Sequence, residues 1–386
     1  MQQQLLDPDT LLLQFALGEK RSHLFVVSHN DLQVLSLPPA SQIDSLVNAL
    51  REPLTKNQLP AEINSRAAAL SQQILGPASQ AIARHRRLIV VADGSLHLVP
   101  FAILPQGDQP LLERHQLLQL PSSSTLALLQ RQPSSRPASI AILADPIFSS
   151  DDSRVRVFAP AKPPSNAPPN PVDLRALSLS RAAATLSTNP LKPQPWAPLP
   201  GTRREAEAIQ RLFPPQQAMV ALDDQANLHL AQDPKLARYS ILHLATHGIF
   251  NTQEPALSGL VLSLVDREGK PQDGFLQLAD VFNLKLAADL VVLSACETGL
   301  AEQVKGEGLV GLTRGFLYAG SSRVLVSLWK VDDAATAAFM QHFYNALLQR
   351  RLPPSQALVA AQQQLRSFPG WSSPYYWGAF VLQGEW

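Results

Sequence analysis

The chain has 386 residues, 45% of them hydrophobic, with a formal charge of +1 and a single cysteine. That length suits two domains or one large α/β unit with a sizeable core, and one cysteine cannot form an intramolecular disulfide, which favours a reducing, cytoplasmic setting. Both charge signs are spread along the chain, so no electrostatic footprint for nucleic acid or anionic lipid stands out, and neither a signal peptide nor a membrane span of roughly 18 apolar residues is seen.

In chain order, three short apolar runs at 11–15, 24–27 and 34–37 are separated by Gly18-Glu19-Lys20 and Asn30-Asp31. They predict an antiparallel meander. Helices are expected from Ser41 and from Ala61, followed by a buried strand over 88–91. The basic cluster Arg84-His85-Arg86-Arg87 reads either as a phosphate-binding patch or as a solvated helix end complementing the macrodipole, and the second is favoured. A further strand over 140–143 ends at Asp145-Pro146. Eleven of the 33 prolines then fall between Pro160 and Pro200. Fixed φ and missing donors oppose regular structure there, so 149–173 and 187–199 read as exposed segments, with a short helix over 177–186.

Thr202, with Glu205 three residues on, has the pattern of a capping box opening a helix. From there strands near 218–221, 240–245, 290–295, 323–328 and 378–382 alternate with helical patterns near 203–212, 226–237, 308–319, 333–349 and 355–366. Such alternation implies parallel βαβ units. The expected organisation is an N-terminal α/β subdomain over 1–148, a Pro-rich connecting segment over 149–199, and an α/β domain over 200–386. No internal repeat of about 30–45 residues appears.

Two strand ends carry the chemistry. The run Ile241-Leu242-His243-Leu244-Ala245 breaks into Thr246-His247-Gly248, and Val291-Val292-Leu293 breaks into Ser294-Ala295-Cys296-Glu297-Thr298-Gly299. Reactive groups in parallel sheets collect at the carboxyl ends of strands, which would bring a thiol and an imidazole to one rim. A Cys preceded by Ala, with a His about 50 residues earlier, is the caspase-type arrangement of nucleophile and base. The strings His243-Leu244-Ala245-Thr246-His247-Gly248 and Leu293-Ser294-Ala295-Cys296-Glu297-Thr298-Gly299 resemble the two signature motifs of the CHAT family, the caspase-like domain associated with tetratricopeptide repeats. The stretches around Leu199-Pro200-Gly201-Thr202, Gly306-Glu307-Gly308-Leu309, Leu328-Trp329-Lys330-Val331-Asp332-Asp333 and Trp371-Ser372-Ser373-Pro374-Tyr375-Tyr376-Trp377 are similar to family members too. The N-terminal part resembles them more loosely.

The resemblance implies a caspase-like, mainly parallel sheet flanked by helices, and a cysteine endopeptidase acting on a protein substrate through a Cys-His dyad without a cofactor or metal. Cys296 would be the nucleophile and His247 the general base, since an imidazole activates a thiol by taking its proton. Backbone amides of Gly248 and Cys296 would form the oxyanion hole, with no acid evident to orient His247. The substrate pocket would draw on Ser294 and on Trp329, Asp332 and Asp333, where an acid would favour Arg or Lys, as in the separases and metacaspases. Asp332 or Asp333 alternatively caps the helix that follows, and Asp273 and Asp280 are further pocket candidates. Regulation by a protein partner or a tetratricopeptide-repeat region is expected.

Two other readings stand beside this one. The fold can serve as a catalytically silent protein-interaction module, or the cysteine can act in an amidase or acyltransferase on a small substrate. His243 and His247, at i and i+4, have zinc-pair spacing only on a helix. On a strand they lie about 13 Å apart, so His243 reads as a hydrogen-bonded core residue. The segment Lys305-Gly306-Glu307-Gly308 reads as a rim loop beside Cys296.

Overall fold

The computed structural model describes residues 2–128, 137–155, 196–249, 254–294, 296–297 and 307–385. Expectations for the helix over 177–186 and for Lys305 and Gly306 fall outside these residues. Two compact units interleave along the sequence, one holding 1–137, 289–291 and 321–386, the other 138–288 and 292–320.

The first unit opens with the expected meander, β1 (Thr10–Ala16), β2 (Ser22–Val27) and β3 (Leu32–Leu37), all antiparallel. In β2, burial alternates along the strand with Leu24 and Val26 inward, as a half-covered strand requires. β1 pairs on its other side with β4 (Arg87–Val91) in parallel, and β4 pairs in parallel with β7 (Gln116–Leu120). Between them lies a small hairpin, β5 (Pro105–Gln106) and β6 (Gln109–Pro110). The helices Ala40–Thr55 and Pro60–Ile74 bury Ile43, Val47, Leu50, Leu54 and Ile63, Ala67, Leu70, Ile74. That spacing is the apolar stripe of period 3.6.

The second unit carries β8 (Ile140–Pro146), β9 (Ala218–Asp223) and β10 (Ile241–Ala245), in the order β10-β8-β9 and all parallel. β8 and β10 are buried at every position, which explains why both read as unbroken apolar runs. A small second sheet has the order β13-β12-β11-β15, formed by β11 (His247–Ile249), β12 (Gly259–Val261), β13 (Phe275–Gln277) and β15 (Cys296–Glu297), with β14 (Leu290–Leu293) leading to the last. A Cβ on Gly259 would stand 2.5 Å from the Leu276 carbonyl oxygen, so glycine is what lets β12 and β13 approach. The chain re-enters the first unit with β16 (Arg323–Ser327) and β17 (Phe380–Gly384), antiparallel to each other, and β17 runs parallel to β7.

Several local expectations change. The helix carrying Thr202 begins earlier, at Pro200 (Pro200–Gln210), because proline's fixed φ suits the first turn. Thr202 is no cap: its hydroxyl donates to the Leu199 carbonyl at 2.8 Å and accepts from the Asp145 amide at 3.0 Å. Glu205 turns inward instead of back to the cap. The helix expected over 226–237 is two pieces, Leu228–Ala231 and the 3-10 turn Pro234–Arg238, because Pro234 cannot continue the first. Asn227 and Asp233 cap the two pieces. The described ends of the Pro-rich segment are also packed: Val155 is buried with Ile147 and Val265, and Trp196 and Leu199 pack on a core of Phe148, Ile249, Leu257, Val261 and Phe275.

Candidate active site

β10 runs fully buried to Ala245, and at Thr246 the chain leaves the main sheet to become β11 of the small one. The Thr246 hydroxyl donates to the Val261 carbonyl, pinning this turn to β12. Ser294 N donates to Leu244 O at 3.0 Å, so the end of β14 runs beside β10 before the chain reaches β15. In the small sheet β11 and β15 are parallel, with His247 the register partner of Cys296 and Gly248 that of Glu297. On its other side β11 pairs antiparallel with β12, His247 with Val261 and Gly248 with Leu260.

The His247 ring is held on three sides by groups that the sequence did not single out. Its Nε2 lies 2.8 Å from the Ala197 carbonyl oxygen. A carbonyl only accepts, so Nε2 carries the proton, and in the neutral ring the lone pair is on Nδ1. The Phe148 and Trp196 rings flank it at centroid distances of 5.0 and 5.4 Å. The Ala197 carbonyl thus takes the orienting place for which no acid was evident. A backbone acceptor leaves no sequence signal; Trp196, an aromatic among prolines, was the available clue.

Behind this site, His243 Nε2 and Glu205 Oε1 stand 3.0 Å apart, with side chains 0% and 2% exposed. His243 is therefore a partnered core residue, as its strand spacing suggested.

At the ends of β8 and β9, Asp145 and Asp223 adopt φ of +46° and +56°, a region that Asp tolerates better than most residues. Arg154 reaches Asp145, Asp152 and Asp223 at 2.8, 2.7 and 2.9 Å, and Arg203 reaches Asp145 and Asp223 at 2.9 and 2.5 Å. This network anchors the segment that carries Phe148. The Arg154 hydrogen bond holds the Asp152 carboxyl below its ordinary value against the opposing effect of burial. A carboxylate depressed in the folded state contributes stability above its unfolded pKa, and that stability is lost as pH falls through the folded value. Urea denaturation at pH 7 and near pH 3 should therefore show an acid-dependent loss that shrinks in Arg154→Gln; an unchanged pH dependence in that variant would remove the network as its source.

The other predicted residues divide between the units. Ser294 is 3% exposed, and its hydroxyl has no hydrogen-bond partner among the described residues. Asp273 accepts from the Phe275 amide at 3.2 Å, and Asp280 forms a capping box with Gln277. Trp329, Asp332 and Asp333 belong to the first unit. Trp329 is buried and donates to the Tyr375 carbonyl at 3.0 Å. Asp332 is the N-cap of the helix Asp333–Leu348, accepting from the Ala334 and Ala335 amides at 3.0 Å each. Among the described residues no cluster of three or more His, Cys, Asp or Glu could hold a metal, and no helix is long and apolar enough to cross a membrane.

A mixed α/β fold with helix-flanked, mainly parallel strands is a caspase-like fold. The CHAT domain family profile matches residues 64–385, and the chain belongs to this family. It is 29% identical over 340 residues to human tetratricopeptide repeat protein 28, a match covering 79% of this chain and 12% of that protein. The chain thus spans about an eighth of the length of that relative. Among solved structures, two of the Saccharomyces cerevisiae separase-securin complex align over 99% of this chain and 30% of theirs, with TM-scores of 0.56 and 0.53 at 9% and 11% identity. At such identity the likeness is one of fold.

Proposed function

We propose that this chain is a cysteine endopeptidase of the caspase-like type, hydrolysing peptide bonds in a protein substrate with Cys296 and His247. The observation that carries the proposal is the register pairing of His247 with Cys296, next to an imidazole whose Nε2 proton is fixed by Ala197 O. Register partners in neighbouring strands belong to the same face of a pleated sheet.

In this mechanism Nδ1 of His247 takes the Cys296 thiol proton, and the thiolate attacks the scissile carbonyl carbon. The backbone amides of Gly248 and Cys296 are the proposed donors to the tetrahedral oxyanion. The imidazolium returns its proton to the departing amine, leaving an acyl-enzyme, and the same imidazole then deprotonates the water that hydrolyses it. The flanking Phe148 and Trp196 rings hold the imidazole by packing against it. The buried Ser294 hydroxyl, without a hydrogen-bond partner among the described residues, supports its place in the substrate pocket, because an unmade buried hydrogen bond is costly unless a ligand completes it. Asp273 remains a pocket candidate on the same unit.

The long repeat-containing relative favours a second reading, a silent interaction module, and the securin-bound state of separase supports a regulatory protein partner in either case. A peptidyl electrophile tests the choice. Labelling that requires both Cys296 and His247 is the expected result. Absence of labelling would favour the interaction module, and labelling by small non-peptide acyl donors alone would favour an amidase or acyltransferase.

A further inference from the structure

The basic cluster Arg84-His85-Arg86-Arg87 comes apart in the fold. Arg84 closes the short helix Ser79–Arg84, at the negative end of its dipole. Arg87 pairs with Asp7 at 2.7 Å. Arg86 instead lines a cavity of about 270 Å³ in the first unit, together with Arg114 and Arg350. These three side chains come from the approach to β4, the approach to β7, and the turn between the helices Asp333–Leu348 and Pro354–Ser367. The parallel pairing of β4 with β7 extends one residue upstream, where the Gln116 amide donates to Arg86 O at 2.9 Å. That bond fixes the first two approaches side by side.

Among the described residues no carboxylate is paired with the three guanidinium groups. Among the described residues Arg86 and Arg350 have no acidic partner, and Arg114 donates only to Gln109 Oε1 at 3.3 Å. Glu113, the acid on the cavity wall, is taken by Arg366 and Gln363. Across the cavity, Gln356, Val359, Ala360 and Gln363 form one face of the helix Pro354–Ser367. Its first turn has no side-chain cap, so the positive end of its dipole adds to the same field. Leu112, Leu352 and Val359 supply an apolar wall. A merely solvated basic face would lack that wall.

We infer that this cavity binds a small phosphate monoester, its phosphate held by Arg86, Arg114 and Arg350 and its apolar portion lying against Leu112, Leu352 and Val359. Guanidinium forks match phosphate oxygens in bidentate pairs, which point charges do not. The cavity lies just below the roughly 300 Å³ at which pockets for drug-sized ligands begin, which suits a small molecule.

Calorimetric titration of the full chain with phenyl phosphate tests this. One saturable site is expected, weakened about tenfold or more by Arg86→Gln or Arg350→Gln, with melting curves unchanged because both side chains are exposed. If a Gln variant melts early, Arg350→Lys serves in its place: it keeps the charge but not the fork, and should still bind several-fold more weakly. Phenol, the same ring without the anion, should not bind, and inorganic phosphate should bind more weakly than the ester. Three results would overturn the site: no saturable binding, affinity unchanged in the Arg86→Gln/Arg350→Gln double variant, or phenol binding as well as its phosphate.

Discussion

Cys296→Ala should lower peptide hydrolysis by about three orders of magnitude or more, and His247→Ala by nearly as much, with the double variant no worse than either alone. The reason is that nucleophile and base act as a unit: a thiol without its base stays protonated, and a base without its thiol has nothing to activate. Cys296→Ala removes a single heavy atom, so circular dichroism and thermal melting should remain close to those of the parent chain. Cys296→Ser should retain at most a trace of activity, because a hydroxyl ionises far less readily than a thiol. The measurement is initial-rate cleavage of a fluorogenic peptide library at near-neutral pH. A Cys296→Ala chain that keeps its peptidase rate would discard the mechanism, and roughly additive losses in the double variant would discard the dyad as a unit.

Glu205→Ala should destabilise the fold by about 3–5 kcal/mol, because it removes the close polar neighbour of a fully buried ring nitrogen and leaves a core cavity. Both side chains are almost completely inaccessible, and Glu205 Oε1 is the polar group 3.0 Å from His243 Nε2. Without it the ring nitrogen stays buried with its principal partner gone, and truncation also leaves a cavity. Replacing both members by apolar residues, Glu205→Leu with His243→Leu, should recover much of the loss, because the desolvation cost of the pair disappears with it. Urea denaturation of the two single variants and the double variant decides the matter. A loss below about 1 kcal/mol for Glu205→Ala would mean that the contact is structurally incidental. Because Glu205 lies in the helix after the Pro-rich segment and His243 in the strand leading to His247, destabilisation here should also weaken activity through the position of that strand.

Much of this was legible locally. The apolar runs at 140–143, 241–245 and 290–293 are strands because continuous burial demands an uninterrupted apolar pattern, and the stripes at 43–54 and 63–74 are helices because their spacing matches one helical face. The paired motifs ending in His247-Gly248 and Ala295-Cys296 carried the family. Thr202 and Glu205 show where local reading fails. Their spacing suits a capping box, but Pro200 starts the helix sooner, and burial against His243 outweighs a solvent-side cap for Glu205.

Periodicity, composition and turn chemistry act within a few residues, and they suffice to say which segments become strands and helices and that a histidine and a cysteine stand where strands end. Long-range packing sets the rest: His247 and Cys296 are register partners in a small separate sheet, 321–386 joins the unit of 1–137, and Ala197, 50 residues before His247, orients its ring between Phe148 and Trp196. Each of these is a pairing between distant segments, settled by which surfaces bury one another and which backbone groups find partners, and no local pattern encodes that choice.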